Sequence, residues 1–180
     1  DNGKFVDVTS EAGIVDPDGR GLGVVATDLD GDGRLDLYVA NDTTANFAFR
    51  NKGGMKFEEV GHLWGLAGNA DGGYQASMGI AAGDLDGDGR ADLAVTNFYG
   101  EGTTFYHNLG GGMFSDRSDA QGFTALTKLT LGFGLAFGDM NNDGRLDVVQ
   151  VNGHVNDYAP YVPYAMPTRL MLGTGEGGRL

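Results

Sequence analysis

Apolar residues along this chain come in short runs separated by glycine-rich and acidic turns. Segments such as Gly21-Leu22-Gly23-Val24-Val25-Ala26-Thr27 and Leu35-Asp36-Leu37-Tyr38-Val39-Ala40-Asn41 are rich in Val and Leu and lack the three-to-four-residue spacing of an amphipathic helix, so they read as buried strands. For the first complete unit the pattern predicts strands near 21–27, 35–41, 46–51 and 56–60.

The pattern repeats. Gly23-Val24-Val25-Ala26-Thr27-Asp28 aligns with Gly79-Ile80-Ala81-Ala82-Gly83-Asp84 and with Gly134-Leu135-Ala136-Phe137-Gly138-Asp139, while Phe5, Phe57 and Phe114 recur at the repeat edges. From Asp28 to Asp84 to Asp139 the period is 56 and then 55 residues. A repeat of that length with about four short strands predicts an all-β fold, a β-propeller segment of about three four-stranded blades. The repeats fall at approximately 5–56, 57–113 and 114–173 of one segment, 1–180.

Between the first two strands of each repeat lies the same acidic loop. Its copies carry Asp28, Asp30, Asp32, Arg34 and Asp36; Asp84, Asp86, Asp88, Arg90 and Asp92; and Asp139, Asn141, Asp143, Arg145 and Asp147. Hard divalent cations take about six to eight oxygen ligands, and alternate residues of a tight loop aim carboxylates at one point when glycine at the sixth position permits the turn. Three Ca2+ sites are therefore expected. Positions 1, 3, 5 and 9 would ligate through side chains and position 7 (Arg34, Arg90, Arg145) through its backbone oxygen, the Arg side chains pointing elsewhere. An EF-hand is excluded, because its bidentate Glu at position 12 is replaced by Val39, Val95 and Gln150. Asn141 supplies a neutral oxygen where the other loops have Asp, which predicts a weaker third site.

The shared pattern G-x-G-x-A-x-G-D-x-D-x-D-G-x-x-D-L-x-V-x-N resembles the FG-GAP/VCBS repeats of integrin-type β-propellers. Together with Phe5-Val6-Asp7-Val8-Thr9-Ser10-Glu11-Ala12-Gly13-Ile14, and Val151-Asn152-Gly153-His154-Val155 before a Tyr/Pro stretch, it is similar to the cartilage acidic protein and ASPIC/UnbV group. That resemblance implies a secreted or cell-surface protein with structural calcium, in which further blades and often an ASPIC/UnbV domain accompany the segment. The chain opens on Asp1-Asn2-Gly3-Lys4-Phe5, which matches the interblade segments, and closes on Arg169 to Leu180 as another blade ends. A fragment of a longer propeller is the expectation, or else a chain that pairs with its own copies through open strand edges.

Composition narrows the function. The formal charge is −13, with 12 Lys+Arg against 25 Asp+Glu, and 11 of those acids are loop Asp. Three bound Ca2+ would bring the charge to −7. No basic stripe exists for nucleic acid, and no apolar run is long enough for direct membrane insertion. Glycine, at 33 residues, far exceeds the usual share of about 7%. The absence of Cys removes any disulfide framework. Loops of modest calcium affinity fill where calcium is millimolar, which points to a secreted, extracellular or periplasmic setting.

Candidate recognition residues lie outside the loops. Three of the four prolines fall in Tyr158-Ala159-Pro160-Tyr161-Val162-Pro163-Tyr164-Ala165-Met166-Pro167, where Tyr recurs at every third position, the spacing of one face of polyproline II. The loops across 152–167 are the expected contact for a protein or glycan ligand. His154 sits among polar groups and is a candidate for function or for a hydrogen-bonded structural role, whereas His62 and His107 are scattered with no zinc-like spacing. Gly68–Ala76 forms a second excursion, either lining the propeller mouth or serving as a connection. Asn41-Asp42-Thr43 is a formal glycosylation sequon. The expected activity is binding, adhesion or scaffolding, not catalysis. The alternatives are a propeller domain of a carbohydrate-active lyase or hydrolase, whose spare acids would be Glu11, Glu58, Glu59, Glu101 and Asp116, and a subunit of a larger extracellular assembly. No G-x-S-x-G or P-loop is present.

Overall fold

The computed structural model describes residues 3–174 and residue 180. The start of the first interblade segment, residues 1 and 2, and residues 175–179 of the closing stretch lie outside the described residues. Among the described residues the fold is all-β apart from three short helices. Strands β1 (Gly21–Thr27), β2 (Asp36–Asn41), β3 (Phe47–Gly53) and β4 (Lys56–Glu59) form one antiparallel sheet in chain order. Strands β5 (Ile80–Gly83), β6 (Asp92–Val95), β7 (Thr104–Gly110) and β8 (Met113–Asp116) form a second. The third contains β9 (Gly132–Gly138), β10 (Asp147–Asn152) and β11 (Arg169–Met171). Helices α1 (Thr9–Ala12), α2 (Gly61–Trp64) and α3 (Phe123–Thr127) span single turns in the connections.

The strands expected in the first unit are found within a residue or two of their predicted bounds. The third sheet differs: three strands are found among the described residues where four were expected. Its second and third strands are separated by the Tyr/Pro stretch, which occupies the place that a short connection, 42–46, fills in the first sheet. The first half of that stretch is not extended. It closes a turn in which Tyr161 N and Val162 N both donate to Tyr158 O, with a bridge between Tyr158 and Val162. Local backbone hydrogen bonding outweighs the proline spacing there.

The second sheet is sandwiched. One core cluster joins Leu29, Tyr38, Ala48, Trp64 and Leu66 to Leu93, Val95, Tyr106 and Phe114. The other joins Leu85, Ala94, Phe105 and Phe123 to Val148 and Met171. Tyr38 and Tyr106 meet edge to face at 6.3 Å, and Phe105 stacks on Phe123 at 5.0 Å. Full burial of such side chains contributes about 1.5–3 kcal/mol each, so the inter-sheet seams carry much of the fold. The repeat glycines set how closely the inner strands approach. A Cβ on Gly23 would lie 2.2 Å from Met78 O, and one on Gly79 would lie 1.7 Å from Phe133 O, each contact reaching from one sheet to the next.

Candidate metal centre

Each acidic loop is the hairpin between the first two strands of a sheet, and its backbone is built by its own aspartates. In the first, Asp28 Oδ1 accepts from Gly31 N at 2.8 Å and Asp32 N at 3.1 Å, and Asp28 Oδ2 from Gly33 N at 2.8 Å. Asp84 repeats this on Asp88 N and Gly89 N, and Asp139 on Asp143 N and Gly144 N. The turn needs left-handed backbone: Gly31 and Gly33 have φ of 79° and 84°, and in the third loop Asn142 takes the first of these places at 60°. Asparagine tolerates that region better than other side chains do.

The hairpins bring the position-1, -3 and -5 carboxylates together. One oxygen from each of Asp28, Asp30 and Asp32 lies within 4.8 Å of the others, and Asp84, Asp86 and Asp88 converge likewise. In the third loop Asn141 Nδ2 donates to Asp143 Oδ2 at 2.8 Å, so an amide relieves the repulsion there. The position-9 aspartates, all fully buried, take a different place. Asp36 Oδ2 accepts from Leu29 N at 3.0 Å and Oδ1 from Asn51 N at 2.7 Å; Asp92 does the same with Leu85 N and Asn108 N, and Asp147 with Met140 N and Gly173 N. Asp36 and Asp92 thus staple their loops to the third strand of the sheet, and Asp147 staples its loop to the segment just past β11.

The arginines do not point away as expected. Arg34, Arg90 and Arg145 each fold back so that Nη2 meets the position-5 carboxylate (Asp32, Asp88, Asp143), while Nε donates to Asn51 O, Asn108 O and Gly173 O. Two residues on, the guanidinium is within reach of the carboxylate, and the third-strand carbonyl fixes its orientation.

Electrostatics favour a cation here. Burial raises the Asp36 carboxyl above its usual range, and the charges of Asp30 and Asp32 add to the rise. Burial pushes Asp92 up to about 6; Asp86 raises it further, while hydrogen bonds from Asn108 and Leu85 and the nearby His107 oppose the rise. Oxygen donors in convergent sets, with buried carboxylates under mutual repulsion, suit a hard divalent ion.

Three features were not legible in the sequence. The third strand places Arg50 over the first loop, with Nε 2.7 Å from Asp30 Oδ2, and His107 over the second, with Nδ1 3.3 Å from both Asp86 Oδ2 and Asp92 Oδ1. Strand register alone reveals this, since these residues are distant in sequence from the loops they cover. The sequon residue Asn41 is fully buried and donates to Ala45 O at 2.7 Å, which excludes it as a glycan acceptor in the folded chain. His154 is buried between Phe98 and Tyr158, with centroids at 5.4 and 5.1 Å, and its Nδ1 faces the backbone of Asn156.

The excursion at 68–76 is pinned, with Ala70 N donating to Asp116 Oδ2 and Thr104 Oγ1 to Gln75 Oε1. It divides two clefts. One, of about 390 Å3, is lined by Gln75, Glu101, Thr104, Arg117 and Lys128; the other, of about 920 Å3, by Arg20, Phe47, Glu59, His62 and Tyr74. Among the described residues no helix is long and apolar enough to cross a membrane.

Comparisons with known proteins bear on the repeat. No curated protein gives a match. Among solved structures, an Agrocybe aegerita lectin, described for specific recognition of non-reducing terminal N-acetylglucosamine, aligns at 20% identity and a TM-score of 0.42, over 87% of this chain and 40% of that one. The chain thus spans well under half the length of that structure. The FG-GAP-like repeat profile matches twice, at residues 28–95 and 84–149, each match running from one acidic hairpin into the next repeat. With those matches covering most of its length, the chain belongs to the FG-GAP-like repeat family.

Proposed function

We propose that this chain is a calcium-stabilised β-propeller segment acting as an extracellular or periplasmic binding, adhesion or scaffold module. The convergence of Asp28, Asp30 and Asp32, repeated by Asp84, Asp86 and Asp88, carries the reading. In it the three sheets are blades, and the position-1, -3, -5 and -9 residues with the backbone oxygens of Arg34, Arg90 and Arg145 hold three Ca2+. The ion neutralises a hairpin whose carboxylates otherwise repel one another, and it rigidifies the turn. The chain's own residues do the rest: the position-9 Asp ties the loop to the sheet, and the position-1 Asp shapes its backbone. A finer place in the ASPIC/UnbV group rests on the 5–14 and 151–155 segments.

Recognition then falls to the polar clefts beside 68–76 and to Tyr158, Tyr161 and Tyr164, all at least half exposed, where aromatic and hydrogen-bonding groups suit a glycan or protein surface. A non-catalytic role is supported by the occupation of acids outside the loops. Glu59 accepts from Ala48 N and Gly61 N, Glu101 from Ala76 N and Phe98 N, Asp116 from Ala70 N and Ser118 N, and Glu58 pairs with Lys52. The test is a glycan array probed with the purified chain in millimolar calcium and again with chelator. Calcium-dependent retention without cleavage is expected. Cleavage of a retained glycan would replace this reading with the carbohydrate-active enzyme, and a large species on sizing with no retention would favour the assembly subunit.

A further inference from the structure

The residue that the third strand sets over the acidic loop differs between the first two sheets: Arg50 in the first and His107 in the second. We propose that the second hairpin carries a transition-metal site of the zinc class, with His107 Nδ1, Asp86 Oδ2 and Asp92 Oδ1 as its protein ligands.

Spacing separates an ion site from an ion pair. Charge-assisted hydrogen bonds between nitrogen and carboxylate oxygen run about 2.7–2.9 Å; Arg50 Nε approaches Asp30 Oδ2 to 2.7 Å as an ion pair, though at an angle that makes no hydrogen bond. His107 Nδ1 stands back at 3.3 Å from both of its oxygens. A tetrahedral ion with bonds of about 2.0–2.1 Å holds its donor atoms about 3.3–3.4 Å apart. The imidazole therefore sits at the separation of ligands sharing a zinc-sized ion.

The donor chemistry agrees. Imidazole nitrogen with two carboxylates suits zinc and its first-row neighbours, whereas calcium takes oxygen alone. Positioning is supplied by the surroundings: the Asp92 side chain is 1% exposed and both of its oxygens accept backbone N–H, from Leu85 and Asn108, while His107 is 19% exposed on a paired strand. Such outer hydrogen bonds orient a ligating carboxylate. Three protein donors leave a fourth position for water. The other hairpins serve as internal controls, since Arg50 can only repel a metal at the first and no His joins the carboxylates of the third among the described residues.

This inference does not rest on the calcium reading, although the two share Asp86 and Asp92. Co2+ is titrated into the metal-stripped chain and followed by visible absorption, with zinc as competitor, for the parent, His107→Ala, His107→Arg and a His62→Ala/His154→Ala double variant. Calcium binding to each variant is measured in parallel by calorimetry, and far-UV circular dichroism checks the fold. Expected are the intense bands of tetrahedral cobalt at one ion per chain, displaced by zinc. They should weaken at least about tenfold in both His107 variants and persist in the double variant. Weak octahedral bands, no cobalt binding, equal affinity in His107→Ala, or loss in the double variant would each overturn the proposal. Cobalt bands without calcium binding would keep this site and remove the calcium sites, and the reverse result would do the opposite.

Discussion

The first and third acidic hairpins share a backbone and differ in charge. Both are shaped by a position-1 Asp bonded to loop amides and stapled by a buried position-9 Asp. Yet the first gathers Asp28, Asp30 and Asp32 under Arg50, whereas the third substitutes Asn141, whose amide bonds Asp143. Hairpin geometry is thus set by carboxylate-to-backbone bonds that persist in all three copies, and the central charge varies separately.

The largest effects should come from the shared frame. Asp36→Ala and Asp147→Ala each leave two backbone N–H groups without their acceptor, at about 2–5 kcal/mol, and chemical denaturation should show similar losses for both. A marked inequality would break the claim of a common frame. Metal removal should divide the hairpins instead. At saturating calcium, linkage contributes about 2.7–4 kcal/mol per site, so chelation should raise amide exchange around 28–36 and 84–92 more than around 139–147.

Acidity sharpens the electrostatic half of the comparison. Asp92 titrates near 6 in the folded, metal-free chain against an ordinary value of 3.8, so the folded state binds its proton more tightly than the unfolded state does. That contribution is fully present below about pH 4 and is lost as pH rises through about 6. Metal-free stability from this group should fall across that window, Asp92→Asn should flatten the fall, and excess calcium should offset it because ion and proton compete. Asp36, raised in the same direction, adds a slope of the same sign.

Smaller differences probe single ligands. In millimolar calcium, Asp32→Ala should lower stability by about 1–2 kcal/mol more than Asn141→Ala, since a charged ligand is lost in one case and a neutral one in the other; matching melting temperatures for both variants and the parent would count against the metal assignment. Arg50→Leu removes an ion pair whose arginine is 35% exposed and whose aspartate is 4% exposed. Calorimetry should show tighter calcium binding at the first hairpin.

Much of this was legible in the sequence because it is local. Strand bounds in the first sheet follow from its short apolar runs, and the loops follow from Asp and Gly at fixed offsets. What escaped depends on pairing across strands. His107 looked isolated because its partners, Asp86 and Asp92, reach it only through the β6–β7 register. The fold-back of Arg34, Arg90 and Arg145 depends on a carbonyl two strands away from the first strand of each sheet. The Tyr/Pro stretch suggested an extended helix because spacing carries no information on the turn that Tyr158 O closes.

Elemental analysis of the purified chain, joined to melting curves in calcium and in chelator, decides whether metal-loaded hairpins hold the sheets. About three divalent ions per chain, calcium foremost, and a large fall in melting temperature on chelation are expected. No bound metal, or coincident melting curves, would contradict the metal's role in the fold.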